Sequence, residues 1–330
     1  MFSLEEKKKI RRIGVLTSGG DAPGMNAAVR AVVRSCLAQN IECIGIRRGW
    51  QGLITGDIQR MTVTSVSHII NRGGTILYTA RSDEFRTEAG QQKAVGTCRL
   101  LGLDGIVAIG GDGTFRGAQA LSKYGISVIG IPATIDNDIV CTDYTIGFDT
   151  AANTAVEAID KLRDTMQSHE RCSVVEVMGR NAGHLAMYVG LAVGAAAVLV
   201  PEKTLDFEKD VAEKIRNARL NGKTHFMVVV AEGAGSAFDV AAKIRESIAL
   251  DPRVTVLGHI QRGGAPSARD RVMGTRMGYC AVDALVSGKT NRVICVKNAT
   301  MVDVDIEEGL AMKKTVNPQL FQIMETMTNG

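Results

Sequence analysis

The segment Ile13–Asn26 reads IGVLTSGGDAPGMN and joins an apolar run, a glycine-rich turn and the start of a helical pattern. The run Ile13–Thr17 predicts a buried strand, and Ala27–Ala38 carries apolar residues at helical spacing. A strand that ends in glycines and opens a helix directs unprotected amides and the positive end of the helix dipole at the turn. The segment therefore predicts an anion site, suited to phosphate, at a strand-to-helix junction.

The same alternation continues along the chain. Seven further apolar runs predict buried strands: Ile106–Ile109, Ile126–Ile131, Val174–Met178, Ala197–Val200, Phe226–Val230, Val254–Leu257 and Val293–Val296. Helical patterns lie between them, for example Thr114–Lys123, Phe207–Leu220 and Arg269–Val286. Strands that alternate with helices predict right-handed βαβ crossovers and an α/β protein with mostly parallel sheets. Ligands of such sheets bind beyond the carboxyl ends of the strands, so we expect the chemistry there.

Composition sets the broad class of the protein. A chain of 330 residues, 45% of them apolar, is long enough for two buried cores. The formal charge of +4 is too small to indicate a nucleic-acid partner. The seven cysteines are scattered without a CxxC pair, which predicts reduced thiols, and the longest apolar run, Leu191–Val200, is too short for a bilayer. We therefore expect a cytoplasmic protein that binds neither nucleic acid nor membrane.

A second glycine-rich junction, Ile109–Thr114, reads IGGDGT and again joins a strand to a helix. Its glycines let a phosphate approach the backbone, and Asp112 is placed to hold a magnesium ion directly or through water. A single turn of this kind is as often a plain strand-to-helix connection. Two such turns, one with a carboxylate, indicate a nucleotide. Arg116 stands where the dinucleotide fingerprint needs its third glycine, which disfavours a Rossmann dehydrogenase.

An acidic loop follows the strand Ile126–Ile131, and residues 132–138 read PATIDND. A kinase needs one carboxylate to accept the proton of the attacking hydroxyl and others to hold the metal. A solvated Asp/Asn turn is the ordinary alternative for such a composition. Taken by itself, the loop does not decide between them.

Five motifs together carry a family resemblance: GVLTSGGDAPGMNA, IGGDGT, TIDND, VEVMGR and VLGHIQRGG. In this order and spacing, the chain resembles the bacterial ATP-dependent 6-phosphofructokinases of type A over nearly its whole length. The resemblance implies a glycolytic phosphotransferase that moves the γ-phosphoryl group of MgATP to the 1-hydroxyl of fructose 6-phosphate, giving fructose 1,6-bisphosphate and ADP. It also implies two similar three-layer αβα domains. These are a nucleotide domain of residues 1–147 and 261–311, and a fructose 6-phosphate domain of residues 148–260 and 312–330.

The resemblance gives roles to the residues that match its motifs. Asp136 would be the catalytic base, with Thr134 beside it and Asp138 supporting the metal and proton chemistry, while Arg81 and Arg180 would also take part in catalysis. Arginine suits this role because its planar cation donates twice to phosphate oxygens. The residues implied to line the nucleotide are Gly20, Trp50, Arg81, Ser82, Gly111, Asp112, Gly113, Thr114 and Gly117, and Asp112 would also bind magnesium.

The sugar phosphate would be held mainly by cations. The residues implied to bind it are Thr134, Asp136, Arg171, Met178, Gly179, Arg180, Glu232, Arg253, His259 and Arg262. A single arginine is more often a solvated surface charge, and only the surrounding motifs favour binding here. Arg171 and Arg253 match residues that the family donates across a subunit boundary, so the resemblance implies a homotetramer with shared active sites.

Two positions bear on the phosphoryl donor. Pyrophosphate users of this family carry an aspartate where this chain has Gly113 and a lysine where it has Ala133, so ATP is favoured. The adenine pocket departs from the family, with Trp50 in place of a tyrosine and Ser82 in place of a phenylalanine. Trp50 offers a stacking face for a base or is a buried core residue. Pyrophosphate therefore stays an alternative donor, and a non-catalytic sugar-phosphate sensor is a less favoured alternative.

The family's effector pocket is only partly matched. Its matching residues are Arg30, Arg34, Arg163, Lys223 and His225, and the positions that differ are Val63, His68, Ala196, Asn221 and Thr224. Ala196 replaces the carboxylate that meets effector-bound magnesium. Our hypothesis is that control by ADP and phosphoenolpyruvate is weak, absent or altered. Initial-rate curves that are strongly sigmoidal in fructose 6-phosphate and relieved by ADP would contradict it.

Overall fold

The structure is a computed structural model that describes residues 10–312 and 316–328. The strands are β1 Arg12–Thr17, β2 Glu42–Ile46, β3 Ile58–Met61, β4 Gly105–Gly110, β5 Val128–Pro132, β6 Cys172–Val177, β7 Ala197–Leu199, β8 Phe226–Ala231, β9 Arg253–Val256, β10 Arg292–Lys297 and β11 Thr300–Asp305. The helices are α1 Met25–Ala38, α2 Gly49–Thr55, α3 Glu88–Leu100, α4 Asp112–Ser122, α5 Phe148–His169, α6 His184–Ala192, α7 Glu213–Leu220, α8 Ala237–Ile248, α9 Ala268–Val286, α10 Ile306–Ala311 and α11 Pro318–Thr328. Short 3-10 helices cover Thr64–Val66, Glu84–Arg86 and Gly258–Arg262, and a π-helical segment, Glu208–Ala212, precedes α7.

The chain divides into two compact units. The first comprises Met1–Thr134, Ile139–Gly147 and Arg262–Lys313, and the second comprises Ile135–Asp138, Phe148–Gln261 and Lys314–Gly330. The first contains a seven-stranded sheet in the order β11-β10-β5-β4-β1-β2-β3, and the second a four-stranded sheet in the order β7-β8-β6-β9. All pairs are parallel except the two at the edges of the larger sheet, β2 with β3 and β10 with β11. The predicted α/β class with mostly parallel sheets is confirmed.

The central strands explain why the sheets are covered on both faces. All six residues of β4, GIVAIG, are buried, and so are all six of β8, FMVVVA. Continuous apolar runs of this kind are typical of parallel strands between two layers of helices. Within the first unit, α1 and α9 approach closely because Gly278 has no side chain: a Cβ there would lie 2.7 Å from the carbonyl oxygen of Ala28.

Each of the eight predicted strands is present. The structure differs from the prediction in three additional strands and in one helix. Strands β2, β3 and β11 were not predicted, and β3 and β11 are short or half-exposed edge strands with weak apolar patterns. The predicted single helix Phe207–Leu220 is wrong in detail, because its first turn is π-helical. There the carboxylate of Asp210 turns inward and accepts hydrogen bonds from the Asp206 amide (3.1 Å) and from the Lys203 ammonium (2.7 Å).

All seven cysteines are free thiols. Six of them are buried, and Cys280 on α9 is half-buried. Burial raises the pKa of the Cys98 and Cys172 thiols to about 12, which keeps them neutral and unreactive. Among the described residues, no helix combines the length and the apolar composition that crossing a membrane requires.

Candidate active site

The two predicted phosphate loops lie side by side in the first unit. Strands β1 and β4 pair in parallel with Thr17 opposite Ile109, so both loops leave the same edge of the sheet. The Ser18 amide donates to the Ile109 carbonyl (3.0 Å), and the Thr114 hydroxyl donates to the Ser18 carbonyl (3.0 Å). Thr114 therefore links the second loop to the first, and together they form one glycine-lined surface at the carboxyl ends of the strands.

The second loop presents bare backbone to a ligand. Gly111 precedes α4, and Asp112 is the first residue of that helix. No atom lies within 4 Å of the positions that a side chain at Gly111 or Gly113 would occupy. The amides at the start of an α-helix have no partner within the helix and attract anions. The loop can therefore receive a phosphate group at the N-terminus of α4.

The fit of a magnesium ion depends on the donors around Asp112. No group of three or more His, Cys, Asp or Glu side chains able to hold a metal occurs among the described residues. Magnesium usually takes one or two carboxylates and completes its shell with water and substrate phosphates. Asp112, half-buried beside a phosphate-accepting loop, fits that mode. It does not fit a metal site made by protein ligands alone.

Asn26, which the sequence patterns did not single out, organises the wall of the first loop. Its side-chain amide is fully buried and donates to the carbonyls of Arg72 (3.1 Å), Gly73 (3.2 Å) and Gly74 (3.0 Å), while its oxygen accepts from the Ile76 amide (2.9 Å). These bonds hold residues 72–76 against the start of α1. A cavity of about 530 Å³ lies there, lined by Asp21, Arg72, Gly74, Thr75, Ile76, Tyr78 and Thr79.

The residues predicted for adenine come together, but the tryptophan among them is buried in the core. Trp50 is only 5% exposed, and its indole stacks on Phe85 with ring centroids 4.9 Å apart and planes 10° apart. Gly117 leaves room for this indole, since a Cβ at that position would clash with the indole nitrogen. The Ser82 hydroxyl accepts from the Phe85 amide (3.1 Å) and so supports the stack. This geometry favours the core alternative for Trp50, and base stacking on it stays a prediction.

The acidic loop contains a buried carboxylate. Asp136 is 6% exposed, whereas Asp138 and Thr134 are half-buried. The Thr134 carbonyl accepts from the Thr145 hydroxyl (2.6 Å), which fixes the beginning of the loop. Arg81 is exposed. A mostly desolvated carboxylate in a loop at the carboxyl end of β5 suits a general base, which must lie within reach of the proton that it accepts.

In the second unit, three strand ends bring together half of the residues predicted for the sugar phosphate. The carboxylate of Glu232, which follows β8, accepts from the amides of Gly179 (3.2 Å) and Arg180 (2.6 Å), which follow β6. Gln261, two residues beyond His259 after β9, accepts from the Met178 amide through its side chain (2.9 Å). Because β6 pairs in parallel with both β8 and β9, these loops leave one edge of the sheet.

Backbone geometry shows why Glu232 is needed at this edge. Gly179 has φ of 142° and Arg180 has φ of 57°, and both values are unfavourable for most side chains. The two amides converge on one carboxylate oxygen, which stabilises this unusual turn through charge-assisted hydrogen bonds. Glu232 therefore positions the Met178–Arg180 loop. Gln261, which the sequence patterns missed, is fully buried and fixes the loop from the side of β9.

Arg171 and Arg253 lie away from this edge. Arg171 precedes β6 and Arg253 begins β9, where it pairs with Ser173, so both stand at the amino ends of the strands. Six-residue β6 puts about 17 Å between its two ends. Arg253 forms an ion pair with Asp251 (3.6 Å), and the pKa of that carboxyl is lowered first by Arg245 and further by Arg253 and Arg171. Within one chain, these arginines do not join Arg180 and His259.

Arg262 falls in the first unit. Its guanidinium donates to the Asp21 carbonyl (3.1 Å) and lies 2.8 Å from the position of a Cβ at Gly20. The structure thus packs an arginine predicted for the sugar phosphate against the first phosphate loop. A side chain at Gly20 would displace this guanidinium.

The residues of the predicted effector pocket are divided between the units. Arg30 and Arg34 lie on α1 in the first unit, and Val63 and His68 lie on either side of the 3-10 helix Thr64–Val66. In the second unit, the Arg163 guanidinium donates to the Val193 carbonyl. Ala196 is buried immediately before β7, and the segment with Asn221, Lys223, Thr224 and His225 leads into β8. With alanine at position 196, no carboxylate is available there for a magnesium ion.

The sequence of this chain is similar to those of known phosphofructokinases. The family model described as Phosphofructokinase matches residues 12–285. The ATP-dependent 6-phosphofructokinase of Clostridium botulinum strain Hall is 54% identical over 314 residues, covering 95% of this chain and 98% of the relative. The enzyme of the same name from Brevibacillus brevis is 52% identical over 319 residues, covering 97% of this chain and all of the relative.

Solved structures share the fold. Phosphofructokinase from Saccharomyces cerevisiae superposes with a TM-score of 0.86 at 32% identity, over 96% of this chain and 46% of the yeast chain, so this chain spans less than half of the yeast one. A pyrophosphate-dependent phosphofructokinase from Marinobacter aquaeolei has a TM-score of 0.83 at 20% identity, over 97% and 92% of the two chains, and shows the fold alone. With a family model over most of its length and relatives more than half identical, the chain belongs to the phosphofructokinase family.

Proposed function

We propose that this protein is an ATP-dependent 6-phosphofructokinase, which transfers the γ-phosphoryl group of MgATP to the 1-hydroxyl of fructose 6-phosphate. The observation that carries the proposal is the pair of joined phosphate loops in the first unit, linked by the Thr114–Ser18 hydrogen bond. A relative that is 54% identical over 95% of the chain is named ATP-dependent 6-phosphofructokinase. The reaction places the enzyme in glycolysis, in the cytoplasm.

The first unit supplies the nucleotide side of the reaction. The amides around Gly111 and Gly113 would bind phosphate oxygens, and Asp112 would hold a magnesium ion. Magnesium, when bound, neutralises charge on the β- and γ-phosphates and makes the γ-phosphorus more susceptible to attack. Arg81 donates to the transferring phosphoryl group, whose negative charge spreads over its oxygens in the transition state.

The acceptor side depends on Asp136 and on the edge of the second sheet. Asp136 takes the proton from the 1-hydroxyl of the sugar as that oxygen attacks phosphorus, and Thr134 and Asp138 support it. Arg180, His259 and Arg262 supply cations and donors to the sugar phosphate.

The distance between the two edges of the second sheet supports a shared site. Arg171 precedes β6 and Arg253 pairs with Ser173, whereas Arg180 follows the far end of this strand, which is about 17 Å long, so binding of one sugar phosphate by all three within one chain is disfavoured. Arg171 and Arg253 act instead in the active site of a neighbouring subunit, within a homotetramer. A two-fold interface between identical subunits provides such reciprocal exchange of residues.

The choice of donor depends on the space around Gly113. A side chain at that position meets no atom of the described protein within 4 Å, so an aspartate there would project into the space left for the α-phosphate. Ala133 is almost fully buried and offers no cation. Both features support ATP over pyrophosphate. A sensor without activity is disfavoured, because Asp112, Asp136 and Asp138 are all present.

A donor assay tests the proposal directly. The pure protein is given fructose 6-phosphate and magnesium with either ATP or pyrophosphate, and fructose 1,6-bisphosphate is measured. We expect kcat/KM with ATP to exceed that with pyrophosphate by about 100-fold or more. Faster turnover with pyrophosphate would reverse the donor assignment, and no turnover with either donor would favour the sensor.

A further inference from the structure

A cavity in the second unit is lined by none of the residues assigned above to nucleotide or sugar phosphate, although Gly233 in its wall directly follows Glu232. It has a volume of about 190 Å³ and lies beyond the carboxyl ends of β7 and β8, where Phe321 and Met324 of α11 cover it. Open α/β sheets bind ligands at this edge. Most of the residues that line it are apolar, among them Met187, Val200 and Leu205, while polar atoms contribute the larger share of its exposed surface.

Four charged side chains also line the cavity, and three of them are already engaged with one another. Lys203 contacts Asp210 (2.7 Å) and Glu325 (3.9 Å). Asp210, which is only 8% exposed, accepts the Asp206 amide as well. The fourth is Lys214, for which the described residues provide no hydrogen bond or ion pair. Partial burial and the nearby Lys203 lower the pKa of this amine, while the carboxylates of Asp210 and Glu325, neither of which forms an ion pair with it, act in the opposite direction.

The helix beside the cavity has an irregular turn. The π-helical segment Glu208–Ala212 runs directly into α7, and it is the turn that directs Asp210 inward. π-helical turns are rare, and they occur frequently at functional sites. Here it places the carboxylate of Asp210 on Lys203 and leaves the ammonium of Lys214, in the next turn, available to a ligand.

Size and chemistry together define the ligand. A cavity of about 150 Å³ holds benzene, so 190 Å³ accommodates one ring with a small substituent. An apolar body suits the methionine, valine and phenylalanine walls, and an anionic group suits Lys214. We propose that this cavity binds a small organic anion, with a body of about one ring and a single carboxylate, whose counter-ion is the Lys214 ammonium.

Benzoate is the probe for this proposal, because it has one ring and one carboxylate. The full-length protein is labelled with [methyl-13C]methionine and titrated with benzoate in the absence of nucleotide and sugar phosphate. Met187 and Met324 line the cavity, whereas Met327 of the same C-terminal helix is 69% exposed and serves as the internal control. We expect saturable shifts of the Met187 and Met324 methyl signals and an unchanged Met327 signal.

Two comparisons test the role of Lys214. Lys214→Met should weaken benzoate binding about tenfold or more, because an ion pair to a carboxylate is lost. The matched control is Lys209→Met, an exposed lysine of the π-helical segment that does not line the cavity, and it should bind as the wild type does. Benzyl alcohol has the same ring without the charge, so it should bind the wild type about tenfold more weakly than benzoate.

Several outcomes would overturn the proposal. They are an absence of shifts at Met187 and Met324, equal affinities of the wild type for benzoate and benzyl alcohol, and an equal loss of affinity in both lysine variants. The comparison of the two probes needs no variant, so the proposal stays testable if Lys214→Met does not fold. None of these measurements depends on the proposed kinase activity.

Discussion

Asp136 is the residue on which the proposed chemistry depends. It is buried, and the general base acts mainly in the transition state, so its loss lowers turnover more than ground-state binding. We expect Asp136→Ala to lower kcat about 10²- to 10⁴-fold and to leave the KM for fructose 6-phosphate largely unchanged. Steady-state kinetics measure both constants. The control is Asp160→Ala, an exposed aspartate on α5, and near-normal turnover in Asp136→Ala would refute the assignment.

Gly117 tests how closely the aromatic stack is packed. A Cβ at this position would clash with the indole nitrogen of Trp50 and would approach Phe85 to 3.1 Å. Gly117→Ala must displace the indole, and we expect it to lower the free energy of unfolding by about 1–3 kcal/mol. Denaturant unfolding followed by Trp50 fluorescence measures the change, since Trp50 is the single tryptophan.

The matched control for Gly117 is another helical glycine. Gly96 lies in the interior of α3, and nothing approaches its Cβ position within 4 Å. Gly96→Ala should raise the free energy of unfolding by about 0.5–1 kcal/mol, because alanine loses less backbone entropy in a helix. Equal stability of the two alanine variants would contradict the packing argument.

At the scale of elements, the loop after β6 is held by one side chain from the end of β8. Glu232→Gln keeps the shape of Glu232 but removes the charge from the two hydrogen bonds to the Gly179 and Arg180 amides. We expect the KM for fructose 6-phosphate to rise about tenfold, since bonds to a charged acceptor are about twice as strong as neutral ones.

The measurement for Glu232→Gln separates binding from folding. Kinetics at varied fructose 6-phosphate give KM and kcat, and thermal unfolding shows whether the unit stays folded. Glu246→Gln, an exposed change on α8, is the control and should leave KM unchanged. An unchanged KM in Glu232→Gln would show that the loop keeps its conformation without the charge.

The elements also show which features of the structure can be predicted from sequence patterns. Strands such as β4 and β8 were predictable because every residue in them is buried and apolar. The role of Asn26 was not, since its partners lie 46 to 50 residues further along the chain and only the folded structure brings them near. Gln261 is a similar case, because its bond to the Met178 amide joins residues 83 positions apart.

Trp50 is a candidate site residue whose role also depends on a contact that sequence patterns do not reveal. Its position in the motif order predicted a base-stacking face or a core residue, and the pattern could not separate them. Phe85, 35 positions later, supplies the stacking partner in the structure. By contrast, both phosphate loops were predictable, because each strand, glycine turn and helix is contiguous in sequence.

For the whole molecule, the proposed sharing of active sites can be tested by mixing two inactive variants. Asp136→Ala removes the base, and Arg253→Ala removes a cation that stands at the opposite edge of the second sheet from Arg180. If each site takes its base from one subunit and Arg253 from another, some sites in a hybrid contain neither change. Co-expression should then restore about a quarter of wild-type activity at low fructose 6-phosphate.

Two controls accompany the mixing experiment. Each variant alone, at the same total concentration, should have far less activity than the hybrids. A chain that carries both substitutions, co-expressed with Arg253→Ala, should restore none, because the base and the arginine are then never both intact in one site. Hybrids without any recovered activity would mean that Arg253 acts within its own chain, and full activity of Arg253→Ala alone would mean that Arg253 has no role in the reaction.

The distribution of cysteines makes it possible to tell by thiol alkylation which of the two units has unfolded. The first unit contains Cys36, Cys43, Cys98, Cys141, Cys280 and Cys295, and the second contains Cys172 alone. Cys280 is the thiol most accessible to an alkylating reagent in the folded chain, whereas the others are sealed until their surroundings separate. The mass added during a brief exposure to reagent thus distinguishes partial unfolding of the second unit, which releases one further thiol, from that of the first, which releases five.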